Sequence, residues 1–160
     1  MEVIMPIGIP GSGKTRLYKK KYSDYALISL DSICKEVMGN VNDWSKTEYI
    51  FKIFLQKIDE FISKGESIYI DNCNLGKNVR NIILNRFKGK DIKVIYLVLP
   101  SDVEISNKRI KEAIKNNVER CHNSEKNLSL FMNVYRYDIM NNFAGENVQE
   151  IIYLKEEDLD

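Results

Sequence analysis

Residues 8–15 read GIPGSGKT and set Gly8, Gly13, Lys14 and Thr15 in the spacing G-x-x-x-x-G-K-[ST]. This spacing holds phosphate when a strand precedes it and a helix follows, because loop N–H groups and the positive end of the helix dipole then converge on the anion. The flanking segments EVIMPI and RLYKKKYSDY meet that condition. Gly8, Gly11, Ser12, Gly13, Lys14 and Thr15 are therefore the expected phosphate-binding residues of a nucleotide site, with Lys14 reaching the β and γ phosphates and the Thr15 hydroxyl meeting Mg2+, a pattern that by itself does not separate a kinase from a GTPase or an ATPase motor. A purely structural glycine turn would not need the Lys-Thr pair. No Asn-Lys-x-Asp guanine reader follows; the nearest segment, NKRI at 107–110, lacks the acid. The apolar run VIYLVLP ends without a carboxylate, whereas SIYID ends in Asp71.

A second stretch, LISLDSICKEVMG at 27–39, delivers Ser29 and Asp31 to the end of an apolar run. In an open α/β sheet, that edge is where ligands bind. Phosphoryl transfer to a hydroxyl gains from a carboxylate that orients the nucleophile and accepts its proton, so Asp31 is the expected general base. The competing role is a helix cap, common for Asp after a strand.

Positioning these groups requires a sheet, and the chain supplies one. Apolar runs at 2–7, 25–30, 67–71, 92–99 and 148–154 alternate with longer stretches of helical spacing. Continuous runs such as VIYLVL suit strands covered on both faces, and connections of this length suit parallel crossovers. The expected fold is α/β, a five-stranded parallel sheet with helices on both faces, in one domain over 1–160. The longest helix is predicted from about Trp44 to Ser63, capped by Asn42, Asp43 or Ser45 and stopped at Gly65. A shorter one is predicted over 74–87 with Val79, Ile82, Ile83 and Phe87 inward. SDVE at 101–104 has the form of a capping box begun by Ser101. Pro6 is the local conflict, since a central strand ill tolerates a missing N–H.

In their order and spacing, GIPGSGKT, ISLD, IYIDNCNL and Asn117-x-x-Arg120 resemble the small P-loop kinases related to the kinase domain of phage 5′-hydroxyl polynucleotide kinase. The resemblance runs from Met1 to about Tyr153. It implies an ATP- and Mg2+-dependent kinase acting on the 5′-OH end of DNA or RNA, with Lys14 and Thr15 on the donor and Asp31 as base. It also implies Asp71 and Asn74 at the acceptor side, and a helical lid at about 101–142 carrying a catalytic arginine, Arg120, with Arg109 as the alternative. Where that family has an arginine gripping the acceptor's phosphate, three residues after the base, this chain has Cys34. Lys35 is the implied substitute, a point charge without the arginine fork. The arginine preceding the lid asparagine is likewise replaced, by Asn116. Other acceptors remain open, a nucleoside, nucleotide or sugar derivative, as does a noncatalytic nucleotide-binding module with no use for Asp31.

Composition sets the outer bounds. In 160 residues, 24 Lys and Arg balance 23 Asp and Glu, so no global basic signature argues for nucleic acid, although a local groove can still be positive. Cys34, Cys73 and Cys121 form no metal-ligand spacing, and the Cys121-His122 pair supplies too few ligands for zinc. With no apolar run of membrane length and no leader-like start, the expectation is a reduced, cytoplasmic protein. Any phosphatase or ligase partner in end repair is expected to be a separate protein.

Overall fold

The computed structural model describes residues 1–121 and 123–160; His122 lies outside them. Among the described residues the strands are β1 (Glu2–Ile7), β2 (Ala26–Ile28), β3 (Ile68–Ile70), β4 (Lys93–Val98) and β5 (Glu150–Tyr153). They form one sheet in the order β2-β3-β1-β4-β5, every pairing parallel. The helices are α1 (Lys14–Lys21), α2 (Leu30–Met38), α3 (Thr47–Lys64), α4 (Lys77–Leu84), α5 (Val103–Lys115) and α6 (Glu125–Met140), with a final 3-10 turn at Glu156–Leu159. None is long and apolar enough to cross a membrane.

The two-residue period of a strand separates the core into two layers. Val3, Met5 and Ile7 of β1 and Val94, Tyr96 and Val98 of β4 face one side, with Ile33, Ile50, Phe54, Ile58, Ile83 and Tyr135 from the helices. Ile4, Ile95, Leu97 and Leu99 face the other, covered by Leu17 of α1 and Leu159 of the C-terminal turn. Helices thus lie on both faces, as the continuous apolar runs require.

Pro6 is accommodated by the way β1 outruns its neighbour. β1 pairs with β3 only at Val3 and Ile4 but with β4 along its whole length. The Pro6 carbonyl points to the β3 side, where it accepts from Asn74 Nδ2 at 2.7 Å, so the missing N–H falls where no ladder continues.

Several helix starts differ from expectation. Ser29, not Asp31, caps α2, its Oγ accepting from Ser32 N at 3.2 Å. The capping role is thereby removed from Asp31. Asp102 rather than Ser101 caps α5, accepting from Ile105 N at 2.9 Å, because the Ser101 hydroxyl is turned to Ile9 N. Neither Asn42, Asp43 nor Ser45 caps α3; its cap position is Lys46, without a side-chain bond, and Asp43 instead closes a tight turn with Ser45. Gly65 does end α3, at φ 68. Helix α4 is shorter than 74–87, and its inward stripe is Arg80, Ile83 and Leu84, while Val79 and Ile82 are exposed. The stripe is rotated because Arg80 is drawn inside by two buried carboxylates.

Candidate functional site

A cavity of about 1030 Å3 opens at the carboxyl edge of the sheet and gathers most of the expected site residues. Its floor is the loop between β1 and α1. Gly13 precedes α1 at φ 106, a left-handed conformation that a side chain would strain, and a Cβ on Gly8 would stand 2.4 Å from Ser12 Oγ. No side chain caps α1, so its first N–H groups point into the cavity without a protein acceptor from a cap. Lys14, 8% exposed, lays its ammonium across the loop, donating to Gly8 O at 3.0 Å, Ile9 O at 2.8 Å and Ser12 Oγ at 3.3 Å. An uncapped helix start beside a buried ammonium fits the phosphates of a nucleotide.

Thr15 Oγ1 donates to Asp71 Oδ2 at 2.7 Å. Asp71 follows β3, and its own N–H is tied to Ile28 O at 2.8 Å, which fixes the carboxylate against the phosphate loop rather than on the far wall. Burial pushes the Asp71 carboxyl above its usual range, while the Thr15 hydroxyl and the Lys14 charge oppose that rise. A hydroxyl and a carboxylate in contact form an oxygen pair that suits a hard divalent cation such as Mg2+.

Asp31 stands in the first turn of α2, solvent-accessible and lining the same cavity. Cys121 Sγ lies 3.5 Å from Asp31 Oδ1 and donates to Val41 O at 3.1 Å. Burial, and then the Asp31 charge, push the Cys121 thiol up to about 12. Arg120 lines the cavity next to it, and its buried Nε has no hydrogen-bond partner among the described residues. Burial lowers the Arg120 pKa, with the Asp31 charge working against that shift. Arg109 also lines the cavity but from the opposite flank, Nη1 donating to Gly11 O at 3.1 Å and the guanidinium lying 4.0 Å from Glu156.

Two expected acceptor-side residues are engaged in other contacts. Asn74, 4% exposed and at φ 52, uses its amide to bind Pro6 O, Ile70 O at 3.0 Å and Asn72 O at 3.1 Å, holding the β3–α4 loop to the sheet. Lys35 does not line the cavity; it bonds Glu119 at 2.7 Å and Gly39 O at 3.2 Å. Cys34 is fully buried, its thiol donating to Asp43 O at 3.1 Å and Asn40 O at 3.3 Å.

Sequence reasoning missed what supports the site. Asn72 Oδ1 accepts from Leu30 N at 2.9 Å and so links the β3 loop to the helix bearing Asp31. Behind it, Arg80 is 1% exposed and donates to Asp138 at 2.7 and 3.0 Å and to Glu146 at 2.7 and 3.0 Å. Asp138 Oδ2 also accepts from Gly76 N at 3.1 Å, and Tyr96 donates to Glu146 at 2.8 Å. The available signal was a charge on the apolar stripe of α4, which a lone reading of that helix assigns to solvent.

A protein-family model described as an AAA domain matches residues 3–136. A curated relative, the Arabidopsis thaliana protein named transcription factor bHLH140, is 29% identical over 110 residues, 65% of this chain. The match spans only 11% of that relative. Among solved structures, the Pnkp1/Rnl/Hen1 RNA repair complex aligns at TM-score 0.71 and 14% identity, over 88% of this chain and 45% of the other. Chaetomium thermophilum Kti12, in complex with ADP-AlF3, aligns at 0.65 and 18%, over 98% and 93%. At such identities the likeness is one of fold.

Proposed function

The chain belongs to the AAA domain family, with a P-loop kinase-like fold, and on that premise we propose that it transfers the γ-phosphoryl group of ATP to a hydroxyl, the 5′-OH end of DNA or RNA. One observation carries the reading. Asp31 has no capping duty, because Ser29 performs it, and its carboxylate lines the cavity that also holds Lys14 and Thr15. A passive nucleotide-binding module has no use for a carboxylate so disposed.

In the proposed reaction the acceptor oxygen attacks the γ-phosphorus as its proton passes to Asp31, and the bond from that phosphorus to the ADP oxygen breaks. Lys14 shifts from the loop carbonyls to the β and γ phosphates and offsets charge on the departing ADP. Arg120, on the α5–α6 segment proposed as a lid over about 101–142, stabilises the equatorial oxygens, and lid closure excludes water. Thr15, with Asp71 behind it, would hold Mg2+, which would supply positive charge to offset that of the phosphates. Gly8, Gly11, Ser12 and Gly13 cradle the phosphates, and Lys35 and Asn74 act indirectly by holding neighbouring backbone and side chains. A single domain over 1–160 suffices for these parts.

The test is transfer of labelled γ-phosphate from ATP to a 5′-OH oligonucleotide. Asp31→Asn should bind ATP and not label the end; labelling at the wild-type rate would overturn Asp31 as base. Lys14→Ala should weaken both. A small hydroxyl compound as acceptor is a second reading, favoured by the burial of Cys34 and the Lys35–Glu119 pair.

A further inference from the structure

The acceptor half of the cavity is built differently from its donor half. On the side of β2 and β3, Trp44, Phe51, Leu75, Val79, Ile83 and Phe131 give it apolar and aromatic walls. Asn123 and Asn127 add carboxamides from the α5–α6 side. The charges are divided just as sharply among the described lining residues. Lys14 and Arg16 belong to the phosphate loop and α1, and Arg109 is bonded to Gly11 O, so these three cations surround the donor. Around Asp31 the uncommitted lining charges are Asp31 itself and Arg120, because Asp71 is held by Thr15 on the phosphate-loop side and Glu119 is paired with Lys35. A phosphate carried by the acceptor would find no described lining cation there besides Arg120, whereas an uncharged ring would meet surfaces suited to stacking and edge recognition.

The position that would grip such a phosphate is closed as well. Cys34 is directed into the core beneath the α2–α3 loop, so a side chain there does not reach the cavity. Lys35 is neutralised by Glu119 outside the cavity lining. At about 1030 Å3 the cavity also reaches the upper end of single-ligand pockets, which leaves room for an acceptor ring beside the donor.

Resting on the phosphotransferase reading, we infer that the acceptor is recognised as an uncharged 5′-nucleoside unit, through its base and sugar, and that no cation grips its 3′-phosphate. The unit is either a free nucleoside or the terminal nucleoside of a 5′-OH strand. Both present the same ring and hydroxyl.

The experiment measures kcat/KM for labelled phosphate transfer from ATP to adenosine, adenosine 3′-monophosphate and a 5′-OH oligonucleotide, with the wild-type chain. Adenosine and its 3′-monophosphate should differ by less than about threefold, because a charge-assisted phosphate contact is worth about tenfold or more and none is made. Labelling of adenosine but not the oligonucleotide supports the inference and identifies the free nucleoside as acceptor; comparable labelling of both supports it and identifies the strand terminus as an acceptor too. A preference of about tenfold or more for the 3′-monophosphate overturns the inference and leaves the kinase standing. Transfer only to a non-nucleoside hydroxyl such as gluconate does the same. No transfer to any acceptor, by folded protein that binds ATP, overturns both. Trp44→Ala and Phe131→Ala should raise KM for adenosine by about tenfold with kcat little changed, since stacking acts on binding. Trp44→Phe, which keeps a ring, should restore most of the loss. An unaltered KM in both alanine variants, with folding verified by circular dichroism, also overturns the proposal.

Discussion

Asp31 and Lys14 divide the proposed chemistry between them, and their variants should fail differently. Asp31 touches neither the phosphate loop nor a cap, so Asp31→Asn should leave ATP affinity within about threefold while transfer falls about 100-fold to 10,000-fold, the usual worth of a general base. Equilibrium binding of a fluorescent ATP analogue and single-turnover transfer separate the two effects. The thiol beside Asp31 offers an independent probe of the same charge. With its pKa pushed up to about 12 by burial and by Asp31, the Cys121 thiol stays protonated at pH 8. Alkylation there should be slow. Asp31→Asn removes one of the causes of the rise, so the Cys121 alkylation rate at pH 8, read by peptide mass spectrometry, should increase several-fold.

Helix α4 owes its orientation to charge more than to its apolar residues. Arg80 is fully buried between Asp138 of α6 and Glu146 before β5, with its guanidinium 5.0 Å from the centre of the Phe143 ring. The two carboxylates raise the Arg80 pKa despite the opposing effect of burial, so the arginine remains charged at every accessible pH. Arg80→Leu would leave two carboxylates buried without a cation. The expected loss is about 3–5 kcal/mol, measured by urea unfolding. The same network receives Gly76 N and the Asn74 carbonyl, so it ties the β3–α4 loop to α6. By contrast, the exposed Lys35–Glu119 bridge should contribute little, and Glu119→Gln should cost less than about 1 kcal/mol.

Nucleotide binding should stabilise the molecule as a unit, since the loop that holds the phosphates joins the central strand to the helix covering the second core layer. A non-hydrolysable ATP analogue at about 100 times its Kd should add about 2.7 kcal/mol, raising Tm by about 5–10 °C for a chain of this size. Lys14→Ala should abolish most of that rise at the same ligand concentration. Differential scanning fluorimetry reads both.

The features legible in the amino-acid order are those that neighbours along the chain decide. Eight consecutive residues make the phosphate loop, and two- and three-to-four-residue periods mark β1, β4 and α3, because backbone hydrogen bonding and side-chain direction repeat over short distances. The cap of α5 falls one residue beyond the Ser101 expected, and the competing cap role of Asp31 passes to Ser29, since Ser29 and Asp31, or Ser101 and Asp102, are chemically near-equivalent until tertiary partners claim one of them. Contacts between distant segments could not be read at all. Thr15 meets Asp71 across 56 residues, Lys35 meets Glu119 across 84, and Arg80 meets Asp138 and Glu146 across 58 and 66. The Thr15–Asp71 and Arg80 pairings follow from β3 lying beside β1 and from α6 returning over α4, an arrangement set by the joint burial of the central strands β1, β3 and β4 with their covering helices rather than by any local segment. The chain order therefore fixed a phosphate-binding α/β domain, and the packing of distant elements decided that Asp71 faces the phosphate loop, that Cys34 is buried, and that the acceptor side is lined by rings and Asp31.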